Sequence, residues 1–170
     1  MDFAERAWRQ WTERYPDLDT SHILVVGRIL RIAAAVTATS EVELGAHGLT
    51  RGDFDVLCAL RRADGPLRAG EITTVTGASA AAITKRLDRL SAQGLVRREQ
   101  AEHDRRSVLV RLTAEGVHLL DDVFPAIAAS EAEALAGLAP EETARLAELL
   151  AVVLGTVDPE DFTASPKGAG

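Results

Sequence analysis

Cysteine is almost missing from this chain. Cys58 is the only one in 170 residues, so no internal disulfide can form and a disulfide-stapled secreted scaffold is excluded. Aromatic residues make up only 4% of the sequence. With Leu, Ala and Val dominating the apolar remainder, a mostly helical protein is expected. The four histidines, His22, His47, His103 and His118, are too scattered to form a metal-binding motif. There is no Gly-rich phosphate loop and no nucleophile elbow, so neither a catalytic site nor a cofactor is expected. No apolar run is long enough to span a membrane. The opening MDFAERAWRQW lacks the apolar core of a signal peptide. Together these absences place the chain in the cytoplasm as a non-enzyme.

The overall balance also lacks positive charge, at a net −7, which as a whole argues against a nucleic-acid partner. Its distribution reverses the argument. Between Ser79 and Leu112 stand eight basic residues and four acidic ones, a local +4 that leaves −11 for the remainder. Such asymmetry concentrates an attractive field on one face and lets the rest repel non-specific contacts.

That basic stretch, SAAAITKRLDRLSAQGLVRREQAEHDRRSVLVRLT, predicts a helix, a glycine stop and a hairpin with a charged tip. Ser79 can cap the helix. Ile83, Leu87 and Leu90 recur at helical spacing, and Gly94 suits a left-handed terminus. Leu95–Val96 begins one strand. Val108, Val110 and Leu112 alternate along the returning one, with residues 100–106 as the tip. Opposite the apolar stripe the helix presents Lys85, with Ala81, Ala82, Asp88 and Arg89 on the same outer side. Small residues near the helix start allow close approach to a surface, and the major groove of DNA admits a helix. The expected DNA-contacting set is Ser79, Ala81, Ala82, Thr84, Lys85 and Arg89 on the helix, with Arg105 and Arg106 at the hairpin tip. A solvated charged helix face would read the same way without the hairpin that follows it.

Elsewhere, residues 2–15 predict a short helix carrying Phe3, Ala7, Trp8 and Trp11 on one side, ended by Tyr15–Pro16–Asp17. A second helix starts at Thr20 or Ser21, with a seam of Ile23, Val26, Leu30, Ala33 and Ala34, and continues to Gly45. That seam is long enough to invite a partner helix from a second copy. Thr50 with Asp53 resembles a capping box and opens a strongly apolar helix in which Asp55 is embedded. Asp64–Gly65–Pro66 ends it. A short helix from Arg68 to Thr76 and a turn at Gly77 precede the basic helix, and together the two form a helix-turn-helix. Thr113 caps a further helix that Pro125 should bend. Pro140 opens the last one, with a seam of Leu146, Leu149, Leu150 and Val153. The fold class is therefore mostly α with a small β wing. Residues 1–48 hold the N-terminal helices, 49–112 the winged helix-turn-helix and 113–157 the C-terminal dimerisation helices, and 158–170 form a mobile tail.

The helix-and-wing residues SAAAITKRLDRLSAQGLVRRE and HDRRSVLVRLTAEG resemble the signature of the MarR family of bacterial transcription regulators, the Asp-Arg-Arg wing tip being its most specific part. The resemblance spans roughly residues 22–155 by helix order as well as motif. It implies a homodimer with interleaved terminal helices and two winged helix-turn-helix lobes on a pseudo-palindromic operator, most simply a repressor. The tip departs from the family pattern, since Gln100–Ala101–Glu102–His103 lacks the Pro or Gly often present there.

A narrower resemblance concerns the urate-responsive branch of that family. It implies a ligand site of Trp11 on the extra N-terminal helix, Asp55 before the helix-turn-helix, Arg86 on the basic helix and Arg98 at the wing base. Trp8 is the alternative to Trp11. Arg86 lies beside the apolar stripe and, like Asp55, needs a partner if buried. A planar anion such as urate, a phenolic compound or an aromatic acid could pair with arginine and stack on tryptophan. A structural Asp55–Arg86 ion pair, with the tryptophans in a dimer core, explains the same residues without a ligand. Cys58 as a peroxide-sensing thiol, a metal sensor, and a winged helix used for protein–protein assembly are the remaining alternatives.

Overall fold

A computed structural model describes residues 1–101 and 104–158, with the backbone alone described at 101 and 104–107. Seven helices and three short strands follow in the order α1 (Phe3–Arg14), α2 (Ile23–Gly45), α3 (Arg51–Arg62), β1 (Leu67–Arg68), α4 (Ala69–Thr76), α5 (Ala80–Ala92), β2 (Val96–Ala101), β3 (Asp104–Leu112), α6 (Ala114–Glu133) and α7 (Pro140–Val157). The strands form one antiparallel sheet ordered β1-β3-β2.

The start signals read from the sequence operate as side-chain caps. Thr50 accepts from the Asp53 backbone N–H while the Asp53 carboxylate accepts from the Thr50 N–H, a full capping box. Ser79 accepts from Ala82 and Thr113 from Gly116. Gly77 ends α4 in the left-handed region at φ 62°, which a side chain would strain.

The core lies within the winged region and the helices that carry it. Ile83, Leu87 and Leu90 of α5 pack with Val56, Leu57 and Leu60 of α3, Ile72 of α4, Val110 of β3, and Leu120, Val123 and Ile127 of α6. Along β3, burial runs from an exposed Val108 to a buried Val110, so the hairpin is anchored at its base and leaves the core toward its tip.

Four expectations are corrected. The second helix begins at Ile23, after hydrogen-bonded turns at Thr20–Ser21, with His22 at its N-cap. A two-residue strand, β1, forms at Leu67–Arg68 and delays α4 to Ala69, because Leu67 pairs with Val110. The wing strands extend further than the sequence suggests. Gln100 lies in β2 opposite Val108, and β3 begins at Asp104, so residues 100–101 and 104–106 of the expected tip lie in strands, and 102–103 are outside the described residues. Finally, α2 is by length and composition long and apolar enough to cross a membrane, with a mean hydropathy of 1.6 over an 18-residue window. That property arises from its run of Ile, Val, Leu and Ala, interrupted by Arg28 and Arg31.

Helix α6 continues through Pro125 to Glu133. The tail expected at 158–170 lies outside the described residues from 159 onward.

Two helices bury little of themselves. In α2 only Ser40 and Leu44 are buried, and in α7 no residue is. Val25, Val26, Leu30 and Ile32 of α2 and Leu149, Val152, Val153 and Leu154 of α7 are exposed. The predicted seams therefore remain uncovered in one protomer.

Candidate nucleic-acid interface

Helix α5 is fixed from one side only. Ile83, Leu87 and Leu90 are 0–2% exposed. Ala80, Ala81, Thr84, Lys85, Asp88 and Arg89 face outward, and Ala82 is half-buried. The Thr84 hydroxyl donates to the Ala80 carbonyl at 3.0 Å, which leaves its oxygen lone pairs able to accept on an exposed residue. Ser79 is committed to the cap through its oxygen. The outer face of α5 is thus small-featured over its first turn, with Lys85 beyond.

The basic side chains around it differ in how free they are. Arg97 pairs with Glu99 at 2.7 Å and Arg98 with Asp88 at 2.5 Å. Arg111 approaches Glu99 at 3.7 Å. Lys85 makes no ion pair among the described residues and is exposed, so its charge is available to a polyanion. Arg105 and Arg106 lie in β3, and their side chains are outside the described residues.

Arg89, expected beside Lys85 on the outer side, turns back. Its Nη2 donates to both carboxylate oxygens of Asp53, at 2.5 and 2.6 Å, and to Thr50 Oγ1 at 3.2 Å. Asp53 is fully buried, so this guanidinium supplies the positive charge its carboxylate requires. A helical wheel places Arg89 outward correctly. What it cannot show is that the α3 N-terminus lies within reach.

The expected ligand set is not gathered in the protomer. Among the described residues no hydrogen bond or ion pair joins any two of Trp11, Asp55, Arg86 and Arg98. The alternative of a direct Asp55–Arg86 ion pair is not what forms: Asp55 accepts from Arg51 Nε, one turn back on the same helix, at 3.0 Å. The guanidinium of Arg86 instead lies against Gly52, where a Cβ would overlap it. It is half-buried and has no ion pair among the described residues. Arg98 is held by Asp88. Trp11 is 47% exposed and stacks on Tyr15 with ring centroids 5.7 Å apart, whereas Trp8 is half-buried. Asp55 lines a small polar cavity of about 240 Å³ with Cys58, Arg62, Val75 and Thr76.

Two features escaped the sequence reading. Arg51 joins three helices: Nε to Asp55, and Nη1 both to Ser40 Oγ of α2 at 3.0 Å and to Glu131 of α6 at 2.6 Å. Partial burial alone would lower its pKa, but hydrogen bonds to Asp55 and Glu131 raise it overall. A cavity of about 470 Å³ between α3 and α6 is lined by Cys58, Arg61, Leu120, Asp121, Phe124 and Pro125. Burial pushes the Cys58 thiol up to about 11, which keeps it protonated and a poor nucleophile near neutrality.

Comparison with known proteins agrees with this geometry. Residues 47–107 match the family model described as MarR family. The HTH-type transcriptional regulator PecS of Dickeya dadantii is 33% identical over 84% of this chain and 87% of its own length. A mutant of MarR from E. coli complexed with operator DNA superposes with a TM-score of 0.70 at 27% identity, covering 81% of this chain and 99% of that one. BpsR of Bordetella bronchiseptica, whose structure concerns regulation of DNA binding by 6-hydroxynicotinic acid, gives 0.70 at 28% identity over 76% and 91%. A capped basic helix behind a short glycine turn, a three-stranded wing and a relative matched along most of its length lead to one conclusion: the chain belongs to the MarR family of winged-helix, DNA-binding transcription regulators.

Proposed function

We propose that the protein works as a homodimeric repressor that occupies a pseudo-palindromic operator and is released by a small planar anion, an aromatic acid, a phenolic compound or a purine such as urate. The observation that carries the DNA half is the outer face of α5. An exposed Lys85, unpaired among the described residues, follows a turn of small residues on a helix seated through Ile83, Leu87 and Leu90. Residues 49–112 serve as the DNA-binding region. Residues 1–48 and 113–157 supply the dimer through the uncovered seams of α2 and α7. A cytoplasmic location suits such a regulator.

The effector half is supported by the BpsR relationship and by two groups in this chain. Arg86 is half-buried and has no carboxylate partner among the described residues, and Trp11 offers an exposed ring. A planar anion satisfies the first by paired hydrogen bonds and the second by stacking. Asp55 and Arg98 would have to exchange Arg51 and Asp88 for the ligand. A ligand shifts the balance only through unequal affinity for the free and operator-bound dimers. The test is a titration of the protein–operator complex with urate, 6-hydroxynicotinate and salicylate. Release by one of them, blunted in Trp11→Phe and Arg86→Gln, supports this site. Equal release midpoints for wild type and both variants would remove these residues from it, and no release by any of the three would remove the effector class.

A further inference from the structure

We propose that Arg89 is a clamp and not a base reader: it fixes the DNA-reading helix to the start of α3 and touches DNA, if at all, only at a phosphate. This rests on the DNA-binding reading of α5. Three observations carry it. The Asp53 carboxylate is fully buried. It accepts from the Thr50 backbone N–H at 2.9 Å and the Thr50 hydroxyl at 2.7 Å, and its only cationic partner among the described residues is Arg89. The atom used is Nη2, which faces three acceptors, the two Asp53 oxygens and Thr50 Oγ1, with two hydrogens.

That choice of atom decides what the rest of the guanidinium can do. A guanidinium presents two forks, one made by Nη1 with Nη2 and the other by Nε with Nη2. Paired recognition of guanine O6 and N7 needs one of these forks intact. Both contain Nη2, and its hydrogens are spent inside the protein. Nη1 and Nε remain, and they point in different directions. They can donate singly, which suits a phosphate oxygen and carries no base information. Swinging the side chain out to free the fork would strand a buried carboxylate, a loss larger than one guanine contact returns. Base reading by α5 therefore falls to Lys85, Thr84 and the small residues before them. Arg89 sets the angle at which they are presented, because α3 and α5 are tied at this point as well as through the core.

The test uses the full chain and duplexes selected from a random pool by the wild type. Arg89→Lys should bind the selected duplexes up to about tenfold more weakly, by the same factor for every base variant, leaving the base preferences unchanged. Arg89→Met should lower Tm by about 5–10 °C, since the buried carboxylate loses its cation. The double variant Asp53→Asn/Arg89→Met should recover at least half of that loss, because the stranded charge is gone. An Arg89→Met chain that fails to fold while the double variant folds supports the clamp equally. A guanine preferred by the wild type and lost only in Arg89→Lys would overturn the proposal, as would an unchanged Tm in Arg89→Met. If the wild type selected no duplex, the DNA reading would fall, and the two Tm comparisons would still decide the clamp.

Discussion

At the scale of single residues, two glycines make predictions of different size from the same kind of crowding. A Cβ at Gly116 would overlap the main-chain carbonyl oxygen of Leu95, and a Cβ at Gly52 would overlap the end of the Arg86 side chain. The first obstacle is backbone at the base of the wing and cannot step aside. Gly116→Ala should therefore destabilise by about 1–3 kcal/mol, as overpacking does. Gly52→Ala should cost well under half of that, since Arg86 can move. Thermal melts of the two variants check this, and equal losses would contradict it. Cys58 offers a third case. With its pKa raised from 9.0 to about 11 by burial, the folded protein carries roughly a hundredfold less thiolate at pH 7 than an ordinary thiol. Its stability contribution as a buried thiol is complete below pH 9 and is lost as pH rises through about 11. Iodoacetamide should label native protein slowly at pH 7 and unfolded protein quickly. Comparable labelling rates would restore thiol sensing as a function for this site.

At the scale of elements, Arg51 ties α3 to Ser40 of α2 and Glu131 of α6, linking the helix that starts the DNA-reading region to the two that lead away from it. Its carboxylate partners Asp55 and Glu131 are partly exposed, so solvent discounts each ion pair. Arg51→Met should lower Tm by about 3–6 °C and loosen the lobe against the dimer helices, read as faster hydrogen exchange at the start of α3. An unchanged exchange pattern would show that core packing alone sets this junction. Local features were legible in the sequence because their causes are local. The caps at Thr50, Ser79 and Thr113, the stripe of Ile83, Leu87 and Leu90, and the turn at Gly77 each depend on residues within one or two helical turns. The pairs Arg89–Asp53 and Arg51–Glu131 span 36 and 80 positions. They depend on how helices cross, which no periodicity records. The Asp55–Arg86 alternative failed for a local reason, since Arg51 reaches Asp55 along its own helix at i,i+4 spacing. Strand β1 was missed because two residues after a proline turn carry no alternation.

At the scale of the whole molecule, the uncovered seams of α2 and α7 require a partner. So many exposed Leu, Val and Ile side chains on two helices exceed what a lone soluble protomer usually shows, and in the proposed homodimer a second copy would bury them symmetrically. Removal of residues 140–170 should yield monomeric or insoluble protein, while removal of 160–170 should leave assembly intact. Light scattering of both truncations tests this, and a soluble dimer lacking 140–170 would show that the α7 seam is not needed. The charge asymmetry acts at the same scale. Arg97, Arg98 and Arg111 are engaged in local pairs with Asp88 and Glu99, so among the described residues the attractive field rests foremost on the exposed Lys85. The wing arginines Arg105 and Arg106 are expected to add to it, with Arg106→Ala weakening binding by about tenfold.

The most direct measurement is the operator affinity of wild type and Lys85→Ala across a salt series, on duplex DNA from the region upstream of the gene. If the outer face of α5 binds DNA, wild-type affinity falls steeply with salt as counterions are released. Lys85→Ala should then bind about tenfold more weakly with an unchanged Tm. Its salt dependence should be shallower by about one unit if Lys85 meets a phosphate, or unchanged with altered base preference if it meets a base. Equal affinity, slope and base preference in the two proteins would contradict the assignment of this face to DNA.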